Sequence, residues 1–231
     1  MTIDIDNNAL TQKKPNTDFD WTIYADGTFA GLSILIPIPI LDWIFEQIFR
    51  RRMLKTIAKR RDHPVDPAIQ RLFYQIQSDG WIRGCLLFPF KLTLWLLKRI
   101  SRKILYFLTV KEASDMVSYY WHRAFLLDYM LSQGHLDQVE QAEVAYIALH
   151  TVLDDITVSP LSQLAQQITQ GTRKVFRLLR RVRRNEGDAA AETQRAEMTA
   201  AWADFSGYFE ALAERYDDKF LVVQRDASTT T

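Results

Sequence analysis

KEASDMVSYYWHRAFLLDYMLSQGHLDQVEQAEVAYIALHTVLDDI, residues 111–156, reads as two helices, 111–132 and 137–156, joined at Gly134. Asp137 followed by Glu140 resembles a capping box at the second start. Downstream, Ser159-Pro160 is a cap followed by a residue pre-set for the first helical position. The helix it opens carries Leu161, Leu164, Ile168, Gly171, Val175, Leu178 and Val182 in steps of three and four. After Asn185-Glu186-Gly187-Asp188, Met198, Trp202, Phe205, Phe209, Leu212 and Tyr216 repeat the spacing, and the two stripes predict an antiparallel helical hairpin. Upstream, Asp66-Pro67 opens a helix through Ile69, Leu72, Phe73 and Ile76 that Gly80 stops. The expected fold is all-α: one helical domain, residues 19–225, of about seven or eight helices with a long C-terminal antiparallel helical hairpin. Residues 1–18 and 226–231 read as disordered tails.

Composition agrees with this reading. Eight Gly and seven Pro in 231 residues are few for an all-β chain of many tight turns. The single cysteine, Cys85, excludes an intrachain disulfide framework and a cysteine zinc site, and suits a reducing cytosol. The N-terminus has neither the basic start and apolar run of a signal peptide nor an Arg-rich transit pattern, so the expected location is cytoplasmic.

A net charge of +1 hides segregation. Residues 50–110 carry fourteen bases against three acids, and residues 173–185 carry seven bases and no acid, while the intervening and flanking segments are acidic. Such blocks imply either an anionic partner or mutual neutralisation inside the fold. The basic block follows an uncharged run, TFAGLSILIPIPIL, residues 28–41, whose Pro37 and Pro39 cannot both lie inside a regular helix. A helix is expected to resume near Ile40, carry Trp43, Ile44, Ile48, Leu54 and Ile57, and end at 60–62. The run is too short for a spanning helix of about 20 residues, and extending it to Phe49 brings in Asp42 and Glu46. Within 81–108, Leu94, Leu96, Leu97, Ile100, Ile104, Leu105, Phe107 and Leu108 share one helical face and Lys91, Lys98, Arg99, Arg102 and Lys103 the other. That is the composition of a helix lying in the headgroup layer.

The expected membrane-contacting residues are therefore Leu32, Ile34, Leu35, Ile36, Pro37, Ile38, Pro39, Ile40, Trp43, Leu94, Leu97, Ile100 and Ile104. The expected headgroup-phosphate contacts are Arg50, Arg51, Arg52, Lys55, Lys91, Lys98, Arg99, Arg102 and Lys103. Arg180, Arg181, Arg183 and Arg184 of the run RKVFRLLRRVRR, residues 173–184, join them. Anionic lipid is the leading partner. A protein partner or a second copy of the chain is an alternative for the same apolar surface, and nucleic acid is disfavoured because no nucleic-acid fold signature accompanies the bases.

Residues Gly31 to Arg61 resemble the EcsC-like and YcjF-like membrane-associated bacterial families. The likeness lies in a small-residue apolar lead-in, Pro37-Ile38-Pro39, Asp42, Met53 and Ile57-Ala58. Trp43 after the aspartate, the bases at 50–52 and the lack of a glycine after Ile57-Ala58 depart from the pattern. The resemblance implies an α-helical, membrane-associated protein without a known catalytic site.

Catalytic signatures are sparse. The chain has no Gly-rich phosphate loop, GxSxG or HExxH. His150, Asp154, Asp155 and Glu143 fall within two turns of one helix, and Asp115 and His122 are two turns apart on another. The first set is read as a polar helix end rather than a metal site, and the second as surface charge rather than an acid–base pair. No catalytic residue, cofactor or metal is assigned. The expected function is a peripheral membrane protein that scaffolds, remodels or recruits partners at an anionic cytosolic surface. A soluble helical adaptor, or an enzyme acting on a lipid-like substrate, are the alternatives.

Overall fold

The computed structural model describes residues 13–35, 39–74, 102–156, 159–170, 196 and 198–229; for 39–43, 102–110 and 167–170 it describes the backbone alone. Seven α-helices are bounded within these residues: α1 Trp21–Leu32, α2 Pro39–Arg60, α3 Pro67–Tyr74, α4 Arg102–Ser132, α5 Val139–Asp154, α6 Leu161–Gln170 and α7 Ser206–Thr229. A 3-10 turn, Ser33–Leu35, follows α1, and the described residues contain no strand. The all-α expectation holds.

Local chemistry sets most of the ends. The Asp20 carboxylate accepts the Thr22 N–H at 2.9 Å and opens α1. The proline-rich run breaks as its missing donors require: α1 stops at Leu32 and α2 restarts at Pro39. Asp66 accepts the Ala68 N–H at 2.6 Å ahead of α3, and Ser159 accepts the Leu161 N–H at 3.0 Å ahead of α6. Two helices end in paired reverse bonds. At the end of α4, His135 N–H donates to the Met130 carbonyl and Gly134 N–H to Leu131, with Gly134 at φ +77°. At the end of α2, His63 N–H donates to Ala58 and Asp62 N–H to Lys59, with Asp62 in the same left-handed region at φ +51°.

α4 is the axis. From Tyr120 to Leu131 every residue is buried, so this helix is enclosed all round rather than amphipathic. α1 and α6 pack against it, α2 covers α1, α3 packs on α5 and α2, and α7 packs on α5. α1 comes so near that a Cβ at Gly31 would lie 2.4 Å from the Val117 nitrogen of α4. An aromatic group seals the centre: the Trp202 ring lies 4.4 Å from Tyr24, 4.7 Å from Phe209, 5.0 Å from Phe19 and 5.4 Å from Trp121. The Trp121 indole N–H donates to Thr28 Oγ1 at 2.9 Å, tying α4 to α1.

Several expectations are corrected. α4 runs unbroken from Arg102, so the segment 102–110 continues into the axis helix instead of ending before residue 111. The Asp137–Glu140 box does not form: the cap position is Gln138, and the Asp137 carboxylate meets His63 Nε2 at 2.7 Å. Residues 13–18 are seated, with Lys13 exchanging two bonds with the Gln133 side chain and Lys14 Nζ 3.1 Å from Glu210. α7 continues to Thr229, through part of the expected C-terminal tail. Of the stripe Met198, Trp202, Phe205, Phe209, Leu212 and Tyr216, Trp202, Phe209, Leu212 and Tyr216 are buried and Met198 and Phe205 half-buried, and the helix is interrupted by a turn at 204–205. The expected hairpin turn at 185–188 lies outside the described residues, and the described part of α6 rests on α4.

Candidate functional site

α2 has two faces, and the helical repeat of about 100° per residue decides which residue falls on each. Met53, Leu54, Ile57 and Ala58 point inward and are buried against the core. Ile44, Ile48, Arg51, Lys55, Arg52, Lys59 and Phe45 fall within an arc of about 120° on the other side, and every one is exposed. Ile44, Phe45 and Ile48 are 37%, 38% and 44% exposed. The outer face is therefore apolar in its first half and basic in its second.

The basic block divides accordingly. Arg61 is engaged by the fold from its surface: its Nε and Nη2 donate to both oxygens of the buried Asp128 at 2.7 and 2.6 Å, and this raises the guanidinium's affinity for its proton despite partial burial. Arg60 Nε donates to Asp20 at 2.6 Å, and that bond with its charge holds the Asp20 carboxyl low against the opposing effect of burial. Arg52 lies 3.7 Å from Asp26 and over the Phe49 ring at 6.0 Å. Lys55 Nζ stands 5.9 Å above the Tyr74 ring. Among the described residues, no acidic side chain forms an ion pair with Arg51, Lys55 or Lys59.

Of the expected membrane contacts, Leu32 is overturned. It is 0% exposed in the core cluster, because the end of α1 turns in against α4. Ile34 and Leu35 are half-buried in the 3-10 turn. Pro39, Ile40 and Trp43 lie in the first turns of α2 and Ile104 in α4, with only their backbones described. Ile36, Pro37, Ile38, Leu94, Leu97 and Ile100 lie outside the described residues. Of the expected phosphate contacts, Arg51, Arg52 and Lys55 are exposed on the outer face, whereas Arg50 turns inward and buries its Nε. Arg102 and Lys103 are described by backbone alone, and Lys91, Lys98, Arg99, Arg180, Arg181, Arg183 and Arg184 lie outside the description.

The titratable groups singled out in the sequence go elsewhere. His122 is buried, with Asp115 exposed two turns back. Its Nδ1 lies 2.6 Å from the Ser118 carbonyl, which only accepts, so Nδ1 carries the proton. Nε2 then accepts from the Tyr208 hydroxyl at 2.7 Å, with Ser159 Oγ at 3.3 Å. Ser159 Oγ in turn receives the Ser118 hydroxyl at 2.8 Å. Burial lowers the His122 pKa to about 4 against the weaker pull of the Ser118 carbonyl. With the nearer Tyr208 hydroxyl filling Nε2, the imidazole is no free base for Ser159, and the group acts as a clasp joining α4, α6 and α7. His150 turns its ring against Tyr146 at 4.5 Å, and Asp155 meets Lys219 at 3.3 Å. Among the described residues no three His, Cys, Asp or Glu side chains gather to hold a metal.

Sequence reasoning missed Ile44, Phe45 and Ile48 as surface residues. Their phase with Arg51, Lys55 and Lys59 was the available signal. Among the described residues no helix is long and apolar enough to cross a membrane. No family model, curated protein or solved structure matches the chain.

Proposed function

We propose that the protein docks peripherally on an anionic lipid surface through the outer face of α2, where it scaffolds, remodels or recruits partners. The carrying observation is the exposed triplet Ile44, Phe45 and Ile48 on the same arc as Arg51, Arg52, Lys55 and Lys59. Scattered exposed apolar side chains are ordinary. Three within two turns, continued by bases that mostly lack a described acidic partner, combine an apolar wedge with a polybasic patch, the two signals stable reversible anchoring requires. Each base near an anionic surface contributes about 1 kcal/mol.

The test is co-sedimentation with phosphatidylglycerol-containing and purely phosphatidylcholine vesicles at low and high salt. Expected are binding to the anionic vesicles alone, weakening as salt screens the bases, and loss of binding in both Ile44→Asp/Ile48→Asp and Arg51→Glu/Lys55→Glu. An absence of binding to either vesicle rejects the proposal. Vesicle-independent dimerisation that the Ile44→Asp/Ile48→Asp variant abolishes assigns the face to a second copy of the chain instead.

A further inference from the structure

α7 carries apolar side chains on its outer face as well as its inner one. Phe209, Leu212, Ala213, Tyr216 and Phe220 are buried and hold the helix to the body, the last stacked on His135 at 3.9 Å. On the opposite side, at the helical repeat, Glu214, Asp218, Leu221, Val222, Arg225 and Thr229 fall within an arc of about 100°, and all six are exposed. Leu221 and Val222 stand at the middle of this stripe, each 50% exposed. Past Phe220 the inward side also comes clear of the body: Ala227 shares the bearing of the buried Phe209, yet it is exposed. The stretch 221–229, about 13 Å of helix, thus runs beyond the packed part of α7. A helix in water draws most of its stability from packing an apolar stripe, and in this stretch the large apolar side chains face out.

The order of residues along the stripe is self-complementary. It reads acid, apolar pair, base: Asp218, Leu221-Val222, Arg225. A two-fold axis across the helix, midway between residues 221 and 222, exchanges 218 with 225, 221 with 222 and 214 with 229. A second copy laid antiparallel therefore sets Asp218 against Arg225 twice and Leu221 on Val222 twice, as a closed two-fold interface requires. A parallel copy would oppose Asp218 to Asp218 and Arg225 to Arg225, so charge selects the direction. Among the described residues neither Asp218 nor Arg225 forms an ion pair within the chain.

We propose that the outer face of α7 is a homodimer contact, where a second copy of this chain packs antiparallel across Leu221 and Val222 with Asp218 of each copy against Arg225 of the other. The strip is about 23 Å long and one helix wide, well short of the roughly 800 Å² per partner that a stable interface buries. The dimer is therefore weak, with a dissociation constant on the order of 100 μM. The contact is distinct from the lipid-facing surface of α2 and does not rest on it.

Sedimentation velocity of the full chain from about 5 to 500 μM tests this. Expected is a reversible, concentration-dependent shift from one chain to two. Asp218→Arg and Arg225→Asp each place two like-charge pairs in the contact and weaken it about tenfold. The doubly exchanged chain Asp218→Arg/Arg225→Asp, and an equimolar mixture of the two single variants, both restore it. Leu221→Ser/Val222→Ser abolishes it. Thermal unfolding of these surface variants as dilute monomers stays close to wild type, which separates a lost dimer from a lost fold. A wild type that stays monomeric at about 500 μM overturns the proposal, as does a dimer that the α7 substitutions leave intact or that charge exchange fails to rescue. A dimer lost in Ile44→Asp/Ile48→Asp and kept in Leu221→Ser/Val222→Ser belongs to α2 and overturns it as well. Vesicle binding through α2 is a separate readout, so each proposal fails on its own evidence.

Discussion

Replacing Gly31 by alanine tests the packing on which the fold rests. An added Cβ would lie 2.4 Å from the Val117 nitrogen, 2.5 Å from its Cα and 2.6 Å from its Cγ2. Non-bonded carbon atoms settle at about 3.5–4.0 Å, so the helices have to part by about 1 Å. Two of the three atoms are main chain, and no rotamer change relieves them. Overpacking costs about 1–3 kcal/mol and occasionally more. A backbone clash belongs at the top of that range, and alanine returns up to about 1 kcal/mol of helix propensity. The expected net loss is about 2–3 kcal/mol, a fall of about 4–12 °C in Tm for a chain of this size. Urea and thermal unfolding followed by far-ultraviolet circular dichroism measure it. Two other glycines supply the scale. At Gly27 the nearest atom is the Tyr120 carbonyl oxygen at 3.1 Å, and Gly27→Ala should cost no more than about 1 kcal/mol. At Gly207 nothing lies within 4 Å, and Gly207→Ala should stabilise by about 0.5 kcal/mol. A Gly31→Ala protein within 0.5 kcal/mol of wild type would refute the close approach of α1 to α4.

The Arg61–Asp128 pair should show the asymmetry of a half-buried ion pair. Arg61→Ala strands a carboxylate that is 6% exposed and should cost about 2–3 kcal/mol in urea unfolding, with Arg61→Lys between it and wild type; equal stability of all three proteins removes the pair from the account. His122 makes stability depend on pH. Its folded pKa of about 4 lies below the 6.5 of the unfolded chain, so its contribution is whole above about pH 6.5 and is lost as pH falls toward 4, because the unfolded state takes up the proton first. The ceiling is about 3 kcal/mol, and the stability gap between wild type and His122→Gln should narrow from pH 8 to pH 5; a constant gap refutes the buried neutral imidazole.

What the sequence made legible was local. Asp66-Pro67, Ser159-Pro160, the proline break near residue 39 and Gly134 act through the backbone within a few residues, and each stands where its chemistry placed it. The facing of α2 was not local. Naming Trp43, Ile44, Ile48, Leu54 and Ile57 as the apolar residues of this helix gave them no facing, and phase groups Ile44 and Ile48 with Arg51, Lys55 and Lys59. Arg50, Arg51 and Arg52 are neighbours in sequence, yet the contact with α1 and α4 turns the first inward and leaves the other two outside. Arg123 carried a faint signal, as one of only two bases between residues 111 and 172, set beside an apolar run. Its one described hydrogen bond reaches the Phe73 carbonyl of α3, and only the tertiary arrangement brings the two together.

The two explanations of a charge block, an anionic partner and internal neutralisation, both apply to residues 50–61, but to different bases. Arg60 and Arg61 meet Asp20 and Asp128 at 2.6 Å, and Arg52 leans toward Asp26. These carboxylates belong to α1, its cap and α4, so neutralisation here fastens α2 to the core. Arg51, Lys55 and Lys59 lie on the arc that such fastening leaves outside. Charge on a solvated face needs no partner, and by itself it would argue nothing. The argument turns on Ile44, Phe45 and Ile48, which a purely solvated face has no reason to carry in phase with it. Charge reversal separates the roles: Arg51→Glu/Lys55→Glu should leave stability within about 0.5 kcal/mol of wild type while removing vesicle binding, whereas loss of Arg61 should unsettle the fold. If reversal at 51 and 55 destabilises as much as loss of Arg61, the outer bases also hold the protein together, and the case for a membrane-facing α2 falls with that result.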